Sequence, residues 1–133
     1  MNRFLATVLS VLGFFSMAHA QSDSPFQLEK IVGAFEEMKS SPGFDTSKPL
    51  QWGFFFISPS KEALSKINKQ LQSEGYQYVE EYQDENGNFW LQLAKIEIHT
   101  PESLHKRNGV LFSFAKRFSG VSYDGWDVTP RGH

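Results

Sequence analysis

The chain contains no cysteine. That excludes disulfides, thiolate-held metal, a cysteine nucleophile and a thioether lipid anchor at a processed N-terminus. Charge of one sign is also scarce: 13 Lys and Arg stand against 15 Asp and Glu, a formal net charge of −2. Nothing in that balance favours a polyanionic partner such as nucleic acid. Long apolar runs are missing too. The longest, Phe4 to Met17, is shorter than the roughly 20 residues a spanning helix needs. No glycine-rich phosphate loop, no Gly-x-Ser-x-Gly turn and no His-Glu-x-x-His pair occurs, so the common signatures of nucleotide binding, serine hydrolysis and zinc proteolysis are absent.

What is present begins with a leader pattern. Arg3 precedes the apolar stretch, and Ala18-His19-Ala20 follows it with small residues suited to signal peptidase. Cleavage is expected after Ala20, leaving residues 21–133 as a soluble periplasmic or secreted chain without integral membrane association. With no disulfides, packing alone must stabilise it. The 13 Phe, 4 Tyr and 3 Trp residues supply the means, because a buried large apolar side chain contributes about 1.5–3 kcal/mol.

Along residues 21–133, Leu28, Ile31, Val32 and Phe35 recur at helical spacing within 26–38. A Ser, Pro and Gly-rich loop follows, and Leu50 to Ile57 reads as a strand with large side chains on both faces, hence central. Ser58-Pro59 predicts a helix start, Leu64, Ile67 and Leu71 line one face, and Gly75 terminates the helix. Tyr76 to Gln83 reads as an edge strand with Tyr76, Tyr78, Glu80 and Tyr82 on one face. Asn86-Gly87 suits a hairpin turn. The partner strand, 89–99, changes its apolar alternation after Leu93, which predicts a bulge there or a change of covering layer. Thr100-Pro101 opens a second long helix, weakened by Asn108-Gly109 and ending at Gly120. Val121 to Val128 is the last strand.

Strand, helix, strand, strand, helix, strand is the order of an α+β, ferredoxin-like split βαββαβ antiparallel sheet, here with an extra N-terminal helix. The expected division is a leader at 1–20, an N-terminal helix and linker at 21–49, and one domain at 50–133.

Candidate chemistry is thin. His99 and His105 flank the second long helix start and Glu97 shares a strand face with His99, but metal sites need more ligands at tighter spacing. A Ser-His-acid group has no local motif and would have to assemble in space. Adjacent acids such as Glu36-Glu37, Glu80-Glu81 and Asp84-Glu85 read as solvated surface. Sheet aromatics Trp52, Phe54, Phe55 and Trp90 resemble a base-stacking platform, yet the basic-glycine-aromatic signature of RNA-recognition domains is missing. No catalytic residue, metal, cofactor or nucleic-acid partner is therefore expected.

The most distinctive cluster is Tyr123-Asp124-Gly125-Trp126-Asp127. Two large amphipathic rings, two acids and a glycine fit either a bulged strand or a recognition surface. Taken with the helix ending at Gly75-Tyr76, Val121-Ser122-Tyr123-Asp124-Gly125-Trp126 resembles the RraB family, the ribonuclease E inhibitor B proteins, over roughly Leu50 to Val128. The resemblance implies a ferredoxin-like fold and a non-catalytic activity, binding a ribonuclease and lowering its activity. The family's known inhibitor acts in the cytoplasm and is strongly acidic, whereas this chain is expected to be exported. The expected function is an exported RraB-like regulator or inhibitor that binds an unidentified protein through Tyr123, Asp124, Gly125, Trp126 and Asp127. The alternatives are a periplasmic immunity-type inhibitor of a toxin or hydrolase, and a small ligand-binding domain or enzyme using the sheet aromatics and His99 or His105.

Overall fold

The computed structural model describes residues 4–6 and 24–130. Its elements are β1 (Phe4–Ala6), α1 (Leu28–Lys39), β2 (Leu50–Ser58), α2 (Lys61–Gln72), β3 (Gln77–Gln83), β4 (Phe89–Glu97), α3 (Pro101–Ala115) and β5 (Ser122–Thr129). Hydroxyl caps start α2 and α3, and a left-handed glycine ends α2. The cap of α2 is Ser60, whose hydroxyl accepts from Ala63 N–H at 3.2 Å, and not Ser58. Ser58 instead completes β2 opposite Phe89, and its hydroxyl accepts from Ser60 N–H at 3.0 Å. Thr100 does cap α3, in a reciprocal capping box with Ser103. Gly75, with φ +96°, turns the chain out of α2 while Tyr76 N–H closes on Leu71 O at 3.0 Å. At the hairpin, only Gly87 of the Asn86-Gly87 pair takes a positive φ; Asp84 Oδ1 organises the turn by accepting from Asn86 and Asn88 N–H groups.

The sheet runs β1-β5-β2-β4-β3, antiparallel throughout. Strands β2 to β5 make the expected α+β split arrangement, with the two most apolar strands, β2 and β4, in the centre. One face carries Leu50, Trp52, Phe54 and Phe56 of β2, Leu91 and Leu93 of β4, and Tyr123, Trp126 and Val128 of β5, all in one continuous core with the helices. From the helices, Leu64, Ile67 and Leu71 of α2 and Leu104 and Leu111 of α3 complete that core.

The expected irregularity near Leu93 lies across the ladder instead. Register between β2 and β4 is continuous, and the extra residue is Val79 in β3, between Tyr78 opposite Leu93 and Glu80 opposite Gln92. The alternation in β4 changes because Ala94 and Ile96 serve the other face. The bulge also separates the tyrosines expected together: Tyr78 pairs on the helix side and Tyr82 pairs with Trp90 on the opposite face.

Helix α1 is part of the same core rather than a detached appendage. Phe35 stacks on Trp52 with ring centroids 5.8 Å apart, and Phe26, just before the helix, lies 5.1 Å from Tyr123. Its buried stripe is Ile31, Ala34, Phe35 and Met38, leaving Val32 exposed. Of the expected leader, Phe4–Ala6 pairs with the outer edge of β5, Phe4 opposite Val128; the rest lies outside the described residues. That strand was not anticipated from the sequence, because its residues open the apolar leader stretch.

Candidate partner-binding surface

Gly125, with φ +132°, sits at a bulge where β5 passes from Gly125 opposite Phe55 to Tyr123 opposite Phe56, leaving Asp124 as the extra residue. This irregularity aims both large rings of the 123–127 motif inward. Tyr123 is 3 % exposed, packed on Phe26 and Phe56, and its hydroxyl donates to Asn108 Oδ1. Trp126 is 2 % exposed and tilts against Trp52 at 5.9 Å. Burial pushes the Tyr123 phenol well above its ordinary range.

The acids of the motif lie in different settings. Asp127 is 1 % exposed and pairs opposite Gly53 on the face away from the helices. A Cβ at Gly53 would stand 2.3 Å from Asp127 Oδ1 and 2.9 Å from Gln92 Nε2, so these two polar side chains occupy the space a larger residue would need. Asp124 is half-buried, and desolvation raises its carboxyl to about 7. Among the five motif residues, Asp124 alone retains substantial access to solvent.

A Ser-His-acid chain does assemble in space, where β4 leads into α3. His99 Nε2 lies 2.8 Å from Glu97 Oε2, and Nδ1 lies 2.8 Å from Ser103 Oγ. The carboxylate assigns the ring proton to Nε2, leaving Nδ1 to accept from the serine hydroxyl. Each member is also committed to the fold. Ser103 Oγ accepts from Thr100 N–H at 2.9 Å to close the capping box. Arg107 forks onto Glu97 with Nη1–Oε2 2.7 Å and Nη2–Oε1 3.3 Å. His99 stands edge-on to Trp52 at 5.0 Å. Burial opposes ionisation of Glu97, but hydrogen bonds and charge from Arg107 and His99 outweigh it and hold the carboxyl below its ordinary value. Burial lowers the His99 pKa, with Glu97 opposing part of the shift. The group is a latch tying the end of the central strand to the start of the helix. Glu97 and His99 were visible as a strand-face pair; Arg107 and Ser103 enter only through the first turns of α3. Among the described residues, no three His, Asp or Glu side chains group as metal ligands.

The sheet face away from the helices carries Phe55 and Ile57 of β2, Trp90, Gln92, Ala94 and Ile96 of β4, and Tyr82 of β3. Phe55 and Ala94 are buried yet do not belong to the continuous core. Tyr82 and Trp90 stack nearly parallel, 6.1 Å apart at 3°, and Trp90 Nε1–H donates to Asp84 Oδ2 at 2.9 Å. Tyr82 and Ile96 are 44 % and 41 % exposed. An oriented aromatic pair, with an accessible aliphatic side chain further along the same face, can bind another apolar surface without rearranging the core.

The family model described as regulator of ribonuclease activity B matches residues 32–128. The chain belongs to the RraB family. The matched span starts inside α1 and ends in β5, so it takes in the latch, the 123–127 motif, strands β2 to β4 and nearly all of β5. RraB proteins are regulators that bind protein partners, and membership suggests a regulatory, protein-binding domain. Among curated proteins, none matches the chain. No helix among the described residues is long and apolar enough to cross a membrane.

Proposed function

We propose that this RraB-family chain is an exported, non-catalytic regulator that binds a protein outside the cytoplasm and lowers its activity. The observation that carries the binding reading is the Tyr82–Trp90 stack on the sheet face outside the core, a face that Ile96 shares further along β4. Aromatic side chains held rigid before contact lose little conformational freedom on binding, which favours them as anchors. Glu80, opposite Gln92, and Asp84, which accepts from Trp90 Nε1–H, add acidic groups to this face. Export rests on Arg3, the Phe4–Met17 stretch and Ala18-His19-Ala20; it places the target in the periplasm or beyond, out of reach of a cytoplasmic ribonuclease.

The test uses a Tyr82→Glu, Ile96→Glu double variant. Both side chains are exposed, so the fold survives, and a charged surface replaces an apolar one. Purification from periplasmic extract should recover a stoichiometric protein with the wild type and lose it with the variant. Recovery of the same protein with both contradicts the surface assignment. Intact mass of the recovered chain should correspond to a start at Gln21; a start at Met1 contradicts export by cleavage.

A further inference from the structure

On the helix side of the molecule, a groove of about 580 Å³ runs between α2 and α3. Leu71, Tyr76, Leu111 and Phe114 give it an apolar lining, and Lys106 and Arg117 stand along the α3 side. The surroundings are cationic. Lys95 Nζ lies 4.6 Å from the centre of the Tyr76 ring, and the Arg117 guanidinium 5.5 Å from that of Phe114. Among the described residues, no carboxylate lies within ion-pair distance of Lys95, Lys106 or Arg117. Glu74 is the single acid in the lining. A chain that is acidic overall thus concentrates unneutralised positive charge beside an apolar trough.

Gly109 adds an independent observation. It lies in the interior of α3 and lines the same groove, where glycine destabilises a helix by about 0.8–1 kcal/mol relative to alanine. Its backbone does not take a positive φ, and a Cβ built on it would meet nothing within 4 Å. Neither strain nor packing within the chain accounts for the missing side chain. Its effect is to leave the helix backbone approachable from the groove, next to Val110, which is 56 % exposed.

We propose that the groove between α2 and α3 docks an acidic, amphipathic segment of a partner protein, apolar side chains on Leu71 and Phe114, carboxylates toward Lys106 and Arg117, and backbone close over Gly109. The charge pattern selects the occupant: a basic segment would meet the same cations unshielded, and a purely apolar one would leave them desolvated and unpaired. The proposal rests on the family's protein-binding character but not on the Tyr82–Trp90 surface, which lies on the other side of the sheet.

Fluorescence anisotropy on the full chain tests it with three synthetic amphipathic peptides, each about four helical turns long, identical in apolar positions and carrying Glu, Lys or Gln at the polar ones. The Glu peptide should bind saturably and more weakly as salt rises. Lys106→Glu with Arg117→Glu, and separately Gly109→Trp, should each weaken it by about tenfold or more. Gly109→Ala has room for its methyl group, so its Tm should equal or exceed that of the wild type while peptide affinity falls. Tyr82→Glu with Ile96→Glu should leave peptide affinity unchanged, which separates failure of this groove from failure of the sheet surface. Equal or tighter binding of the Lys peptide, no binding by any peptide, or Glu-peptide binding indifferent to the groove substitutions would overturn the proposal. Self-association of the chain that Gly109→Trp abolishes would also overturn it, by making a second copy the occupant.

Discussion

The Tyr123 hydroxyl donates to Asn108 Oδ1 at 2.5 Å, joining the bulged end of β5 to the middle of α3 where both side chains are almost wholly buried. Asn108 Nδ2 is buried without a hydrogen-bond partner, so the tyrosine supplies what satisfaction this amide has. Tyr123→Phe should therefore cost about 1–3 kcal/mol, the penalty for stranding a buried polar group. Tyr123→Phe with Asn108→Leu should recover much of that loss, because both polar partners are removed together. Denaturant midpoints of the three variants at constant m-value measure it.

Trp126 tests whether the family-like motif acts from the core or from the surface. Its ring lies against Trp52 and is 2 % exposed. Trp126→Ala should destabilise the fold by about 3–5 kcal/mol, and any loss of partner binding should track the unfolded fraction. Full partner affinity is expected at temperatures where the variant remains folded. Weakened binding by a fully folded Trp126→Ala chain would return the ring to the interface.

Gly53 should tolerate no side chain without rearrangement. Alanine there places its methyl group 2.3 Å from Asp127 Oδ1 and 2.9 Å from Gln92 Nε2, closer than real contacts allow. Displacing these buried polar groups should lower stability by about 1–3 kcal/mol, read as a lower Tm. Restoration of stability by Asp127→Ala in the Gly53→Ala background would identify Asp127 as the obstructing group.

Two groups give stability opposite dependences on pH. Desolvation raises Asp124 from 3.8 to about 7, so between those values the native state holds a proton that the unfolded chain has released, and stability falls as pH rises. Burial lowers His99 from 6.5; below that value the unfolded chain binds the extra proton, and stability falls as pH falls. Asp124→Asn should therefore become progressively more stable than wild type as pH rises from about 4 toward 7, then hold a constant advantage. Urea midpoints across that range supply the difference curve. An Asp124→Asn advantage that shrinks with rising pH contradicts the desolvated carboxyl.

The order of elements was legible because its signals are local. Thr100-Pro101 marks a cap, Gly75 a left-handed turn, and the aromatic run of Trp52 and Phe54 to Phe56 a strand covered on both sides. Features that depend on pairing were not legible. The bulge at Val79 is defined only against Leu93 and Gln92 across the ladder, and it moves Tyr82 to the face opposite Tyr78. Ser58 looks like a cap until its register with Phe89 is known. The β1–β5 pair joins residues near opposite ends of the chain. In the 123–127 motif, amphipathic rings beside a glycine left the direction of the side chains open; the bulge at Asp124 and Gly125 sets it. The fork from Arg107 to Glu97 needs the turn from β4 into α3 before the two groups meet.

The central claim is that this RraB-family domain binds a protein outside the cytoplasm through the sheet face bearing Tyr82, Trp90 and Ile96. Site-specific photocrosslinking in living cells tests it most directly, with p-benzoylphenylalanine replacing Tyr82 or Ile96 and, as a helix-side control, Val32, which is also exposed. One discrete protein adduct from positions 82 and 96, formed with the processed chain and absent from position 32, is the predicted result. No adduct from 82 or 96, or adducts formed only with the unprocessed cytoplasmic chain, would contradict the account.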